Sequence, residues 1–493
     1  MIAGAPMIPF RTVSSRVLGV ALLLVVLRSV IFVFFEQAHF DSDQAVFGLM
    51  TKHLAEGRAF PLFMYGQKYL LAVSVYLAVP FVWAFGPSVG ALKVVLLVVN
   101  LVVTILLYVL LRRDARLAPL AASVAMVFFV VPPVVTSSRL VEFQGATIEP
   151  FLWILLLWLM RSRPALLGVV GAVGVLNREF VAYGLVALLI LDGRSRRGTL
   201  ISGPVFAATT LMVRWVARTF SSNYFGTGTP FGWHFDLARL GWLFTENLPD
   251  IFGLRRLVLA DFNIGSRLSE GSWLSGISLL CALALALWRL VRLRVAHPPG
   301  ASGFPAYLCL VGLCSMGAYV CFAPAVADPM LIRYTLLALL LPCGIFALYF
   351  ARETRRVPMV LVIACLALWA LQNARSHARL YAEYLTRRPI NSYRLLVDYL
   401  EQEHLGVGRG PYWTAYHLTF LSGERVITAA DDTERIPAYR DLYRTAGRRF
   451  RIQEGSCRAS GNTVIRWCVT AGDGSEDPAT SDLIDIGGEG PKR

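Results

Sequence analysis

The chain of 493 residues is 56% hydrophobic and 16% charged, whereas soluble domains carry roughly a quarter charged residues. Its formal charge of +15 falls in short basic clusters between apolar runs, as the positive-inside rule requires, and not on one continuous face. Composition thus excludes an ordinary soluble domain and a nucleic-acid partner, and predicts a polytopic membrane protein.

Taken in order, apolar runs able to span occur near 16–35, 89–111, 117–135, 149–160, 198–217, 274–291, 304–324, 331–350 and 357–373, with a shorter pair inside 165–191. They predict an α-helical membrane domain of about ten to twelve helices. The first run is too long for a signal-peptide core and reads as a retained helix. Between the runs lie "RRDAR" (112–116), "RSR" (161–163), "RSRR" (194–197), "RLVRLR" (289–294) and "RETRR" (352–356). If all five face the cytoplasm, an even number of crossings separates each pair. The 165–191 segment is then a hairpin, and 69–86, although apolar, is an interfacial or re-entrant segment. Residues 36–88, 136–148, 218–273, 325–330 and the tail from about 374 all face the other side.

The membrane domain is expected to end at residue 373 and a small α/β domain to occupy 374–470, with a helix over 390–405 and strands in "RVITAA", "RRFRIQ" and "NTVIRWCVT". Residues 471–493, acidic and Gly-rich, read as disordered. Six of the eight cysteines lie in apolar runs, where inert thiols are the rule. Cys457 and Cys468 sit in neighbouring strand-like segments, and spacing alone leaves their pairing open. No Cys/His spacing matches a zinc site.

The chemistry concentrates in "HFDSDQAVFGLM" (39–50), just past the first run. One carboxylate there caps a helix beginning near Gln44; capping leaves the second of Asp41 and Asp43 unexplained. In "SSRLVEFQGATIEP" (137–150), Arg139, Glu142 and Glu149 stand at or just outside membrane depth, and Glu149 is also placed to cap a helix. Arg333 lies inside an apolar run beside Asp328 and Tyr334, where a cation is costly and function is the default reading; a snorkelling Arg or an ion pair with Asp328 is its bland alternative. Gln67 and Lys68 in "YGQKYLL", and Arg178 with Glu179 in "NREF" (177–180), complete the polar residues near the boundary.

The stretches "SDQAVFGLMTKHLAEGRAFPLFMYGQKY", "FGPSVGALKVVLLVVNLVVTILLYVLLRR", "DPMLIRYTLLALLLP" and "YWTAYHLTFLSGERV" resemble the GT-C-type membrane glycosyltransferases. Within these the likeness is to bacterial relatives of protein mannosyltransferases (glycosyltransferase family 39) and of the aminoarabinose transferase acting on lipid A. The likeness is strong through 16–113 and departs at Gln44, where many members have Glu. It implies a GT-C fold and an enzyme of the plasma membrane with its site and tail domain extracytoplasmic. It also implies transfer of a sugar, with inversion, from a polyprenyl-phosphate donor to a lipid, glycan or protein acceptor. The base is expected to be Asp43, with Asp41 or Glu142 as further acids, and Arg333, Tyr334, Lys68, Gln67 and Arg139 as substrate and phosphate ligands. A divalent metal stays open. No Gly-rich phosphate loop marks a nucleotide-sugar seat. A transporter and a non-catalytic envelope scaffold are the alternatives; no repeat relates the two halves of the sequence, and a scaffold would tolerate loss of Asp43.

Overall fold

The computed structural model describes residues 10–145, 147–192, 196–226, 233, 235–294, 303–322, 332–457, 462–473 and 483–484. Among them, six helices are long and apolar enough to cross a membrane: Ser14–Phe34, Val89–Arg113, Leu200–Phe220, Trp273–Leu293, Gly303–Phe322 and Arg356–Thr386. Shorter apolar helices, Val73–Phe85, Glu149–Met160, Pro164–Asn177, Glu179–Leu191 and Leu336–Arg352, pack among these. The chain is a many-helix membrane protein with a small sheet domain at its C-terminal end.

Two expected runs differ in form, and the 69–86 segment is too short to cross, as expected. The run 117–135 is broken into Pro119–Ala125 and Val127–Val130, and a new short helix, Val134–Arg139, follows Pro132 and Pro133. Two successive prolines remove backbone donors and bar the residue before them from helical geometry. The new helix starts where the buried Glu270 carboxylate accepts from the Val134 and Val135 amides at 2.6 and 2.8 Å. The run 331–350 opens with short 3-10 turns, Ile332–Tyr334 and Leu336–Leu339, before the regular helix Leu340–Arg352. Helix Val73–Phe85 has 13 residues and contains Pro80; at about 1.5 Å per residue it is near 20 Å long, short of a bilayer core.

Two charges inside the bundle hold loops in place. Arg28, in the first helix, donates to Asn100 Oδ1 at 2.7 Å, and Asn100 Nδ2 donates to the Leu140 carbonyl at 2.8 Å. Lys93 gives its ammonium to the carbonyls of Ala38 and His39 at 3.0 and 2.6 Å. Burying a charge is tolerated when its hydrogen bonds are replaced, and these carbonyls belong to the turns that carry the polar residues.

Helix Arg356–Thr386 runs straight through the expected boundary at 373; the sheet domain begins after it, with helix Ser392–Gln402. Its five strands lie in the order Ile427–Ala430, Val407–Gly410, Arg448–Glu454, Trp467–Asp473, Asn462–Val464. The first three are mutually parallel and the last two antiparallel. Segment 462–470 is therefore not one strand but parts of two, with a turn at Ile465 (φ 56°). A disulfide joins Cys457 to Cys468. Of the tail expected to be disordered, 474–482 and 485–493 lie outside the described residues, while Leu483–Ile484 pairs with Ser456–Cys457.

The domain is seated on the bundle through helix Tyr412–Leu421, which lies on the loop helix Ser42–Ala55. At the middle of the contact, a Cβ on Gly48 would stand 2.6 Å from the Phe420 ring and 2.9 Å from Leu92. Only glycine lets the two helices approach so closely. At the C-terminal end of the loop helix, Glu424 accepts from Lys52 and from Arg58, and meets His53 Nε2 at 3.0 Å and Tyr439 Oη at 2.8 Å. Burial works to raise the Glu424 pKa, but its hydrogen bonds to His53, Arg58 and Lys52 hold it well below the usual carboxylate range.

Gly48→Val should wedge this contact apart at a cost of about 1–3 kcal/mol. The expected result is a lower melting temperature and faster proteolysis in the 387–391 connection, partly reversed by adding Phe420→Leu. Unchanged proteolysis in Gly48→Val would show that the seat does not depend on this approach.

Candidate functional site

The two aspartates of the loop helix are divided in role by geometry. Asp41 is the N-cap, with extended backbone (φ −139°, ψ 179°) and a carboxylate accepting from the Gln44 amide at 3.0 Å. Asp43, one step into the first turn, does not cap. It accepts from the Tyr412 hydroxyl at 2.5 Å through Oδ1 and faces Arg333 Nη1 at 3.7 Å through Oδ2. Its side chain is 17% exposed, so a substrate proton has a route to it.

Gln44 shows why the departure from Glu matters. Fully buried, it donates through Nε2 to the His39 carbonyl at 3.2 Å and accepts from the Phe143 amide at 3.1 Å. A side-chain amide both donates and accepts, whereas an ionised carboxylate only accepts and would lose the first bond. The side chain fastens the aspartate turn to the 140–145 turn.

Through that second turn, Arg139, Glu142 and His39 form a compact triad. Arg139 Nη1 lies 3.1 Å from Glu142 Oε1 and 3.2 Å from His39 Nε2. His39 Nδ1 stands 3.1 Å from the Phe262 carbonyl. The carbonyl can only accept, so Nδ1 carries the proton and Nε2 accepts from Arg139. Burial and the Arg139 charge lower the His39 pKa to about 4 and keep the ring neutral. Burial presses the Glu142 pKa upward, but the Arg139 charge, with that of Arg333, overrides it and holds the group well below its usual range. Asp41 moves the other way: burial, then the charges of Glu142 and Asp43, raise it to about 7.

Arg333 leaves the 3-10 turn Ile332–Tyr334 to donate to Gln144 Oε1 at 3.0 Å, and its guanidinium lies 5.5 Å from the Tyr334 ring centre. Its expected neighbour Asp328 is outside the described residues. Behind Tyr334, the Phe180 ring packs edge-on at 5.7 Å and carries Arg178 5.0 Å from its own centre. Arg178 stands 4.0 Å from Glu179, so the "NREF" turn is a loose ion pair beside the site.

One cation of the site was not anticipated. Arg435, from the sheet domain, lies 5.6 Å from the Tyr412 ring centre, and its Nη1 is 3.3 Å from the Gly66 carbonyl. With its amide oriented to satisfy the network, Gln67 accepts from both terminal nitrogens of Arg435 at 3.0 Å. Tyr69 stands within the fields of Arg178, Glu179 and Arg435. Lys68, by contrast, is exposed and makes no ion pair among the described residues. Asp43, Arg333, Gln67 and the Arg139–Glu142 pair thus converge, Tyr412 and Arg435 join them, and Lys68 stands apart. Nothing in the "TERIP" segment (433–437) signals that Arg435 folds back onto residues 66–69; the nearest sequence clue was the likeness of 412–426 to other tail domains.

The cluster has unused hydrogen-bonding capacity. Among the described residues, the Nε donors of Arg139, Arg178, Arg333 and Arg435 are buried without a partner, as is Glu142 Oε2. Buried polar atoms of this kind are rare in finished structures. Four idle guanidinium donors, those of Arg333 and Arg435 beside the half-buried Asp43, fit an anionic group with several acceptor oxygens. Among the described residues no group of three or more His, Cys, Asp or Glu side chains is placed to hold a metal ion.

Asp41 supplies a test of these charges. The folded protein holds its proton up to about pH 7, whereas an unfolded chain releases it near the ordinary value of about 4. The folded state binds more protons across that window, so this group's contribution to stability declines as pH rises through it. Asp41→Asn keeps a good cap without the charge. Its melting temperature is expected to fall less than that of the wild type between about pH 5 and about pH 8; parallel curves would refute the assignment.

No protein-family model and no curated protein matches the chain. Its structure is similar to the crystal structure of ArnT from Cupriavidus metallidurans in the apo state, at 12% identity and TM-score 0.43, covering 94% of this chain and 98% of that one. It is likewise similar to ArnT from Cupriavidus metallidurans bound to undecaprenyl phosphate, at 12% identity and TM-score 0.40, covering 93% and 97%.

Proposed function

We propose that the protein is a membrane glycosyltransferase that moves a sugar from a polyprenyl-phosphate carrier to an extracytoplasmic hydroxyl or amine. The observation that carries this reading is the half-buried Asp43 beside Arg333 and Arg435, with idle donors on four neighbouring guanidinium groups. The resemblance of the sequence to GT-C enzymes supports it independently.

In this reading Asp43 takes the acceptor proton while the acceptor atom attacks the anomeric carbon. The bond from that carbon to the phosphate oxygen breaks, its electron pair stays on the phosphate, and configuration inverts. The leaving lipid monophosphate gains negative charge as the sugar departs. Arg333 and Arg435 stabilise that charge, which is stronger in the transition state than in the ground state. Tyr412 fixes the Asp43 rotamer through its 2.5 Å hydrogen bond. Glu142, held ionised by Arg139 and enclosed, serves to position Arg139 instead of taking a proton. Lys68 we assign to the interface and not to the phosphate.

The test is transfer of labelled sugar from synthetic polyprenyl-phosphate sugars by protein in lipid nanodiscs, with membrane lipid and protein fractions as acceptors. Asp43→Asn is expected to lower kcat by about 10²- to 10⁴-fold. Arg435→Ala is expected to lower kcat/KM by about 10- to 100-fold. Turnover unaffected by Asp43→Asn, or complementation of a deletion strain by that variant, would remove the enzyme reading.

A further inference from the structure

Apart from Asp43 and Arg333, toward the C-terminal end of the 218–273 segment, the structure holds a cleft of about 490 Å³ lined by Arg255, Arg256, Ser269, Gly271, Ser272 and Arg379 with Trp273. We infer that this cleft binds the phosphate headgroup of an anionic membrane lipid, as a site separate from the one that handles the sugar donor.

The cations come from two elements that pack together, the hairpin Leu257–Val258 with Ser269–Glu270 and the long helix Arg356–Thr386. Arg255 is neutralised by Asp250 and Glu246 and shapes the wall. Arg256 is exposed and, among the described residues, spends only Nε, on Ser269 Oγ at 3.1 Å. Arg379 is exposed and has no ion pair among the described residues. Two guanidinium groups therefore keep their terminal donors for a ligand, and guanidinium forks match phosphate oxygens.

The backbone adds to this. Gly271 has φ +79°, and a Cβ there would stand 1.8 Å from the Arg255 carbonyl, so the turn closes tightly over the cleft floor. Ser272 Oγ is engaged in capping, accepting from the Ser275 amide at 3.1 Å, at the start of helix Trp273–Arg294.

Position selects a lipid over a free anion. The cleft opens at the first residue of a membrane-spanning helix. Trp273 is 84% exposed there, followed by the exposed Leu274 and Ile277. Tryptophan at a helix end marks the headgroup level of a bilayer, and the apolar residues below it offer a path for acyl chains. Arg379 stands beyond the apolar part of its own helix, at the same level. A headgroup in the cleft with chains along helix Trp273–Arg294 satisfies both surfaces at once. The hairpin that forms the wall is also tied through Glu270 to the amides that begin helix Val134–Arg139, so an occupied cleft would brace the element that ends in Arg139.

The experiment is native mass spectrometry of the whole protein in detergent titrated with phosphatidylglycerol, phosphatidylcholine or inorganic phosphate. It is run on wild type, Arg256→Gln/Arg379→Gln, Arg256→Lys/Arg379→Lys and Arg333→Gln. Phosphatidylglycerol is expected to bind in preference to phosphatidylcholine. The Gln pair should weaken it about 30-fold, near 5-fold per arginine, and the Lys pair much less. Arg333→Gln should leave it unchanged, which separates this site from the sugar-donor site whatever that site's reaction proves to be. Equal phosphatidylglycerol binding by wild type and the Gln pair overturns the inference, as does binding of inorganic phosphate by these arginines without any preference for the anionic lipid.

Discussion

Helix Tyr412–Leu421 rests on helix Ser42–Ala55 at three heights, and each contact fixes a different thing. Glu424 gathers Lys52, His53 and Arg58 at one end, Gly48 admits Phe420 in the middle, and Tyr412 reaches Asp43 at the other. An exposed ion pair is worth little, but Glu424 is largely buried and gathers several partners, so separating the helices would strand a charge. The middle contact forbids sliding, because the ring has no room elsewhere along the loop helix. With two heights fixed, the third follows: Tyr412 meets the residue two past the cap, and that residue is Asp43. The small domain is thus part of the site, and Arg435 arrives with it.

Beneath that seat, the polar turns are held by groups that belong to the bundle. His39 has φ 64°, an uncommon conformation for a side chain with a Cβ. Such a conformation persists only where its surroundings over-determine it. Here Lys93 and Gln44 both take the His39 carbonyl, and the Phe262 carbonyl takes its ring nitrogen. Asn100, itself held by Arg28, takes the Leu140 carbonyl. These bonds hold the turns that carry Asp41, Asp43 and Arg139, and they explain why charged residues occur inside two helices that otherwise read as plain spans.

The spans were legible because a bilayer imposes length and apolarity on every crossing, and Glu149–Met160 was delimited by that signal alone. Pairing of Asp41 and Asp43 at a helix start was legible from capping chemistry, and so was the cost of a cation at Arg333. What stayed hidden depends on tertiary approach. Strand Val407–Gly410 carries two glycines and lacks β propensity; a Cβ on Gly408 would lie 2.1 Å from the Phe450 ring, so packing demands the residue that obscures the strand. The breaks near 126 and 131 replace an apolar run that hydropathy cannot distinguish from a span. Arg435 and Tyr412 lie more than 300 residues from Asp43 in sequence, and no local pattern connects them. Pairing of Cys457 with Cys468 needed the fold of the last strands, which spacing does not specify.

The charges around Asp43 fit the proposed reaction in their sum as well as in their positions. Arg333 and Arg435 face Asp43, Arg139 faces Glu142 and Arg178 stands beside Glu179, while Asp41 holds its proton up to about pH 7. The cluster is left with a modest excess of positive charge, which suits a sugar phosphodiester carrying one negative charge. Transfer converts that diester into a monophosphate able to carry more, so attraction grows along the reaction coordinate, the condition for catalysis as opposed to mere binding. Because the idle Nε donors of Arg139, Arg333 and Arg435 are fixed by bonds their other nitrogens already make, little reorganisation is required as the charge develops. The same increase should hold the lipid monophosphate product more firmly than the donor. The proton that Asp43 takes from the acceptor provides the counterweight: its charge is absent while the monophosphate forms, and giving that proton up restores a carboxylate beside Arg333, which weakens the hold on the product.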